Sequence, residues 1–167
     1  MSDPIVVAVI AGLVALVVAG LSNFGAESFK RHRDTVSLAA GLAGELASHA
    51  EALPMILKGW GHLQARAEAG EFLHIPKLTP TSPVYESSVA RLGALGPELV
   101  EEVAFVYGNI QAFRMMMLVA AEAKSAAEQA TAIQAALFNV SKARGRVEPL
   151  LKKLHRCARA EFLAIDS

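Results

Sequence analysis

Hydrophobic positions fall along this chain in two regimes. Between Pro4 and Ala26 there is no charged residue, and Ile5 to Leu21 is an unbroken run of Ile, Val, Leu, Ala and Gly. A helix rises about 1.5 Å per residue, so roughly 20 such residues cross the hydrocarbon of a bilayer. The stretch 4–26 is therefore expected to be one transmembrane helix. Beyond it the apolar residues recur in steps of three and four, the spacing of one face of a helix.

No Gly or Pro cluster follows Ala26, so the span should run on into a stalk helix over 27–69. Its stripe reads Leu38, Leu42, Leu46, His49, Leu53, Ile56, Trp60 and Leu63, with Glu45, Glu51, Lys58, Arg66 and Glu68 off it. Pro54 lies inside the pattern without shifting its phase. A proline there removes one backbone hydrogen bond and crowds the preceding turn, which predicts a kink near Leu53. Such a helix would extend about 60 Å beyond a membrane. Alone in water it would be poorly stable, so Leu42 to Leu63 form a candidate helix-pairing face for the later helices, a second copy or a partner.

Gly70 should end the stalk, and Pro76 and Pro80 mark 70–82 as a loop. Ser82-Pro83 has the form of a helix start, Ser as N-cap and Pro at the first helical position. The short helix it opens, 83–92, is stopped by Gly93 and Gly96. Pro97 opens a longer helix over 97–121, with Glu98, Glu101 and Glu102 near its positive end and a face of Val103, Val106, Ile110, Phe113, Met117 and Ala120. A turn is expected within Ala121–Glu128, although no Gly or Pro marks it. A last helix over 126–163 then carries Ile133, Leu137, Val140, Arg144, Val147, Leu151, Leu154 and Ala158 on one side, with bends expected at Gly145 and Pro149. The fold class is all-α: a transmembrane anchor (4–26) extended into a helical domain (27–167) of long, kinked helices.

Composition narrows this only slightly. Sixteen Lys plus Arg balance sixteen Asp plus Glu in 167 residues, so overall charge points to no partner. With Cys157 the single cysteine, an internal disulfide and a cysteine-only metal cage are excluded. A cleaved signal peptide would have a basic start and an apolar run of about 7–15 residues. Here the start is Met-Ser-Asp-Pro and the run is longer, although Val18 and Gly20 would suit a cleavage site after Gly20. The basic residues Lys30, Arg31 and Arg33 follow the run, and such residues stay cytoplasmic. The expected location is a bacterial inner membrane, single-pass, N-terminus outside and C-terminal domain cytoplasmic.

Candidate chemistry is sparse. The five histidines are scattered with no HExxH. Glu71 and His74 have the spacing of a di-iron bundle motif, but such a site needs two copies and two further glutamates. His49 reads as a packed or interfacial side chain. Cys157 has Lys153, His155 and Arg156 nearby, yet it flanks an apolar face where buried cysteines are ordinary. No nucleophile elbow, Walker A motif or dinucleotide fingerprint occurs. Neither metal, cofactor nor catalytic group is expected, and the chain is not expected to be an enzyme.

The charge pattern is more informative. Lys142, Arg144, Arg146, Lys152, Lys153, Arg156 and Arg159 face only Glu148 among acids between 142 and 159. They form a candidate patch for a partner or for anionic lipid; nucleic acid is the less favoured ligand. In an antiparallel hairpin, Glu98, Glu101 and Glu102 would lie opposite Arg146–Lys153 and neutralise part of it. Inside the span, Ala8-x-x-x-Gly12 and Ala11-x-x-x-Ala15-x-x-x-Ala19 allow close helix pairing, and the absence of ionisable residues excludes an ion path through it.

Thr79-Pro-Thr-Ser-Pro-Val-Tyr-Glu-Ser, then Leu92-Gly-Ala-Leu-Gly-Pro-Glu-Leu-Val, then Val106-Tyr107, resembles a pattern in bacterial single-pass membrane proteins of unknown function. The resemblance covers about 30 residues of motif and implies an N-terminal anchor before a helical cytoplasmic region, and no activity. The expected function is a membrane-anchored helical interaction or scaffold protein that binds membrane lipid and either a second copy or a membrane-associated protein. The alternative is a tethered binder of anionic lipid or nucleic acid through 142–159.

Overall fold

A computed structural model describes residues 4–77 and 80–159, with side chains from Gly25 onward. It is all-helical: α1 (Pro4–Glu68), α2 (Pro83–Ser88), a 3₁₀ helix (Val89–Leu95), α3 (Pro97–Glu122) and α4 (Ala126–Arg159), with no strand among the described residues. The side chains of the expected span lie, apart from Gly25 and Ala26, outside the described residues.

At 65 residues α1 is roughly 100 Å long. It stays α-helical through Pro54, as α4 does through Pro149. Its C-terminus is a Schellman motif: the Glu71 N–H donates to the Arg66 carbonyl (3.1 Å) and the Gly70 N–H to the Ala67 carbonyl (3.0 Å). Gly70 makes this possible because its φ of +89° is left-handed, where a side chain would clash.

α4 packs closely along both α1 and α3, whereas the backbones of α1 and α3 scarcely approach one another. α3 runs parallel to α1, with Tyr107 beside Leu42 and Phe113 beside Trp60, and α4 returns antiparallel to both. The described residues of the connection 69–96 travel back along the gap between α1 and α3. Lys77 meets Glu122 at one end of that path and Thr35 meets the Ala94 carbonyl at the other. Gly41 permits the close approach of α2, since a Cβ there would sit 3.2 Å from a Val84 methyl carbon.

The core is continuous along α1, α3 and α4, with Leu42, Leu46, Val103, Val106, Tyr107, Leu150 and Leu154 fully buried. A second cluster of Ala67, Leu73, Ile75, Ala120, Ala132 and Ile133 closes the far end beside the α3–α4 turn. That turn spans 123–125 and carries a helix-start device: Ser125 Oγ accepts the Glu128 N–H, while the Glu128 carboxylate accepts the Lys124 N–H. The buried face of α4 differs from the expected one. Ala143 and Leu150 point inward, whereas Arg144 is exposed and Leu151 only half-buried. The shift arises because α4 fits between two helices, so small Ala132, Ala136 and Ala143 take the closest approaches and the widest side chains do not set the phase.

α3 is long and apolar enough to cross a membrane by length and composition. A core helix meets the same description, and α3 buries Val103, Val106, Tyr107, Ile110, Phe113 and Ala120 within the bundle.

Candidate functional site

Where α1 and α3 diverge, the returning segment closes the gap with polar side chains. Glu45, one helical turn before His49 on α1, accepts the backbone N–H of Val84 (2.8 Å) and of Tyr85 (3.1 Å). These are orphan donors in the first turn of α2, so a carboxylate from α1 caps that helix. Ser82 holds the N-cap position, yet its hydroxyl makes no cap hydrogen bond. It points instead to His49 Nε2 (3.1 Å) and to Arg114 (3.0 Å), and its own N–H donates to Glu86 (3.0 Å).

Arg114 can only donate, and it also donates to the Thr81 carbonyl (3.1 Å). Ser82 is 1% exposed, so its hydroxyl proton needs an acceptor, and among the described residues His49 Nε2 is the one in reach. Burial, and then Arg114, hold His49 below the ordinary histidine pKa against the opposing pull of Glu45. At neutral pH the relay therefore runs Arg114 to Ser82 to a neutral His49. Burial also acts against the Arg114 charge, with Glu86 and Glu45 favouring it. The guanidinium nevertheless stays protonated. Tyr107 stacks on Tyr85 (4.2 Å between centroids, 3° between planes) and meets His49 edge-on. Burial and the Glu45 carboxylate raise its pKa, keeping it neutral.

Below this polar group lies an apolar cavity of about 300 Å³. α1 contributes His49, Leu53 and Trp60 to its wall, and α3 contributes Phe113 and Arg114. Ala143 and Val147 of α4 and Pro80 and Thr81 of the returning segment complete the lining. It exists because α1 and α3 are held apart by α4 and bridged only by large side chains, among them the edge-to-face pair of Trp60 and Phe113 (5.8 Å).

The candidate helix-pairing face lies here. Leu42, Leu46 and Leu53 are buried in the chain's own core, with Ile56 and Trp60 packed half-buried against it and Leu63 against the second cluster. His49 is the polar member of that stripe, turned to the returning segment.

The basic segment is divided. Lys153 reaches Glu98 (2.5 Å) and Glu102 (2.7 Å) across the α3–α4 hairpin, and those hydrogen bonds raise its pKa. Lys152 pairs with Glu148 one turn earlier on α4. Arg146 lies over the Phe105 ring (3.9 Å to the centroid) and Lys142 over Phe138 (4.2 Å). Arg144, Arg156 and Arg159 are exposed. Lys30, Arg31 and Arg33 are exposed on α1 before it joins the bundle, Arg31 pairing with Glu27.

The remaining candidates stand apart. Glu71 pairs with Arg66 and His74 is exposed, and no group of three metal-ligating side chains comes together among the described residues. Cys157 is half-buried against the main core, where burial raises its thiol pKa and lowers its reactivity.

Gln129 is a buried polar residue that periodicity does not reveal. At 1% exposure it accepts the Leu73 N–H (2.8 Å) and donates to the Leu73 carbonyl (2.8 Å) and the Ala120 carbonyl (3.3 Å). No family model, curated protein or solved structure matches the chain.

Proposed function

We propose that the protein is a membrane-anchored helical interaction module, held by Pro4–Ala26 with its bundle in the cytoplasm. The observation that carries this reading is the course of α1. The helix joins the core at Val36, and upstream every described residue from Gly25 to Asp34 is exposed, Phe29 at 64%. From Pro4 to Asp34 that arm is roughly 45 Å of helix. A lone helix of this kind is marginal in water, and the uncharged stretch at its start suits lipid. Lys30, Arg31 and Arg33 then sit at the headgroups and orient the chain with its bundle inside a bacterial cell. In this reading Pro54 and Pro149 bend the long helices and set the angle of the far half of the bundle.

The stripe Leu42–Leu53 is taken up within the chain, which moves self-association to the exposed arm and the span. Pairing there is tested by Phe29→Cys in a Cys157→Ser background. Mild oxidation of native membranes should give a disulfide-linked dimer, and light scattering of the purified chain should give a dimer or larger. A strict monomer in both, with no membrane protein crosslinked to residue 29, contradicts the reading.

A second reading has one observation in its favour. The C-terminal end of α4 lies at the end of the bundle where α1 leaves it, because α4 is antiparallel to α1. Arg156 and Arg159 would then face the same surface as Lys30 and Arg33, where anionic lipid attracts them. Binding of vesicles containing anionic lipid that falls with salt, and falls further in Arg156→Gln/Arg159→Gln, supports it; salt-insensitive binding contradicts it.

A further inference from the structure

Three features of the α1–α3 gap bear on each other. First, the cavity is about 300 Å³, twice the roughly 150 Å³ of an apolar cavity that takes in benzene, and falls within the usual size of small-molecule sites. Second, its body is apolar, with Leu53, Ile56, Trp60, Phe113 and Val140 on the walls. Third, its polar groups gather at one end, where Thr81, His49 and Arg114 meet.

The chemistry of that end is one-sided. Arg114 forms no ion pair among the described residues. The nearby carboxylates are held elsewhere, Glu45 by the first turn of α2 and Glu86 by the Ser82 N–H, and neither lines the cavity. The guanidinium has five N–H donors, of which the two named hydrogen bonds use two. A half-buried cation with spare donors, beside an apolar space, favours an acceptor oxygen and disfavours a second cation.

We infer that this cavity binds a medium-chain acyl compound, with the chain among Leu53, Trp60 and Phe113 and the acyl oxygen on Arg114. A free carboxylate and an ester share that oxygen chemistry. The site is formed wholly within the bundle, so it does not depend on where the chain is anchored.

Trp60 is the only tryptophan and lines the cavity, which makes it a built-in reporter. The full-length chain in nanodiscs with a tryptophan-free belt would be titrated with three heavy-atom quenchers: 11-bromoundecanoate, its methyl ester and 11-bromoundecyltrimethylammonium. The carboxylate and the ester should quench Trp60 saturably above the lipid-partition background, and the ammonium compound should give the background alone. Tighter binding by one of the first two identifies the free acid or the ester as the better ligand. Arg114→Gln should weaken the carboxylate tenfold or more, the loss expected for a charge-assisted hydrogen bond, while Arg114→Lys should retain most of the affinity. Ala52 of α1 also lines the cavity, and Ala52→Phe, which adds bulk there and replaces no polar group, should abolish the saturable component while leaving helicity intact. Linear quenching that is equal in the parent and Ala52→Phe overturns the inference. So does saturable binding of the ammonium compound as tight as that of the carboxylate.

Discussion

Replacing Gln129 by leucine keeps the size of the side chain and removes three hydrogen bonds at one stroke. The Leu73 N–H and carbonyl, both at 2.8 Å from the Gln129 amide, belong to a residue only 6% exposed. The third partner, the Ala120 carbonyl at 3.3 Å, is among the last four of α3 and has no partner within that helix. Each buried backbone group left unsatisfied costs about 1–3 kcal/mol. Taking the two short bonds at the middle of that range, and setting the longer one against the greater apolarity of leucine, gives a loss of roughly 4 kcal/mol. That is a large part of the 5–15 kcal/mol typical of a domain. Urea unfolding of the full-length chain, followed by Trp60 fluorescence, reads the loss, and amide exchange of the 71–77 segment reads its location. Gln134→Leu, an exposed position on the same helix, is the control and should change stability by no more than about 0.5 kcal/mol. If the two variants are equally stable, or if 71–77 keeps its protection in Gln129→Leu, then Gln129 does not pin the returning segment.

Glu45→Ala strips the cap from α2 and should cost about 1–2 kcal/mol by the same unfolding assay, with exchange at Val84 and Tyr85 rising first. Leu46→Ala, at a fully buried position of the main core, should cost about 2–5 kcal/mol, against little change for Met55→Ala, which is 75% exposed. The lowered folded pKa of His49 gives stability that is complete above its unfolded value of 6.5 and is lost as pH falls through the folded pKa. The groups that face it are Glu45 on its own helix, Ser82 on the returning segment and Arg114 and Tyr107 on α3, so protonation puts a second cation beside Arg114. Unfolding measured between pH 7.5 and 5 should therefore show a decline that His49→Gln flattens; an unchanged slope in that variant refutes the assignment.

The helices and their breaks were largely legible because their causes are local. Gly70 ends α1 through its own left-handed conformation, and Pro97 opens α3 at the expected position. The faces of α1 and α3 follow the three–four spacing of their large side chains. The start of α4 was also written locally, as Ser125-x-x-Glu128, a signal easily passed over where neither Gly nor Pro draws the eye. What stayed hidden depends on residues far apart in sequence. Ser82-Pro83 marks a helix start correctly, but the cap comes from Glu45, 39 residues from the Val84 whose N–H it accepts, and Ser82 turns to His49 and Arg114 instead. Gln129 carries no periodic signal, because its function is to satisfy a loop backbone and not to fill a core. The phase of α4 is misread for a related reason: alanines at the tightest contacts weigh little in a hydrophobic pattern and decide the packing. The cavity follows from the separation of α1 and α3, which no residue type announces.

The anchored orientation of α1 is most directly tested by labelling with a membrane-impermeant maleimide in intact bacterial cells. Two single-cysteine chains in a Cys157→Ser background suffice: Ser2→Cys before the uncharged stretch and Ser141→Cys on the exposed side of α4. The account predicts that residue 2 labels in intact cells and residue 141 only after lysis, with both chains sedimenting with membranes after alkaline carbonate. Labelling of residue 141 in intact cells, or release of the chain from membranes by carbonate, would contradict it.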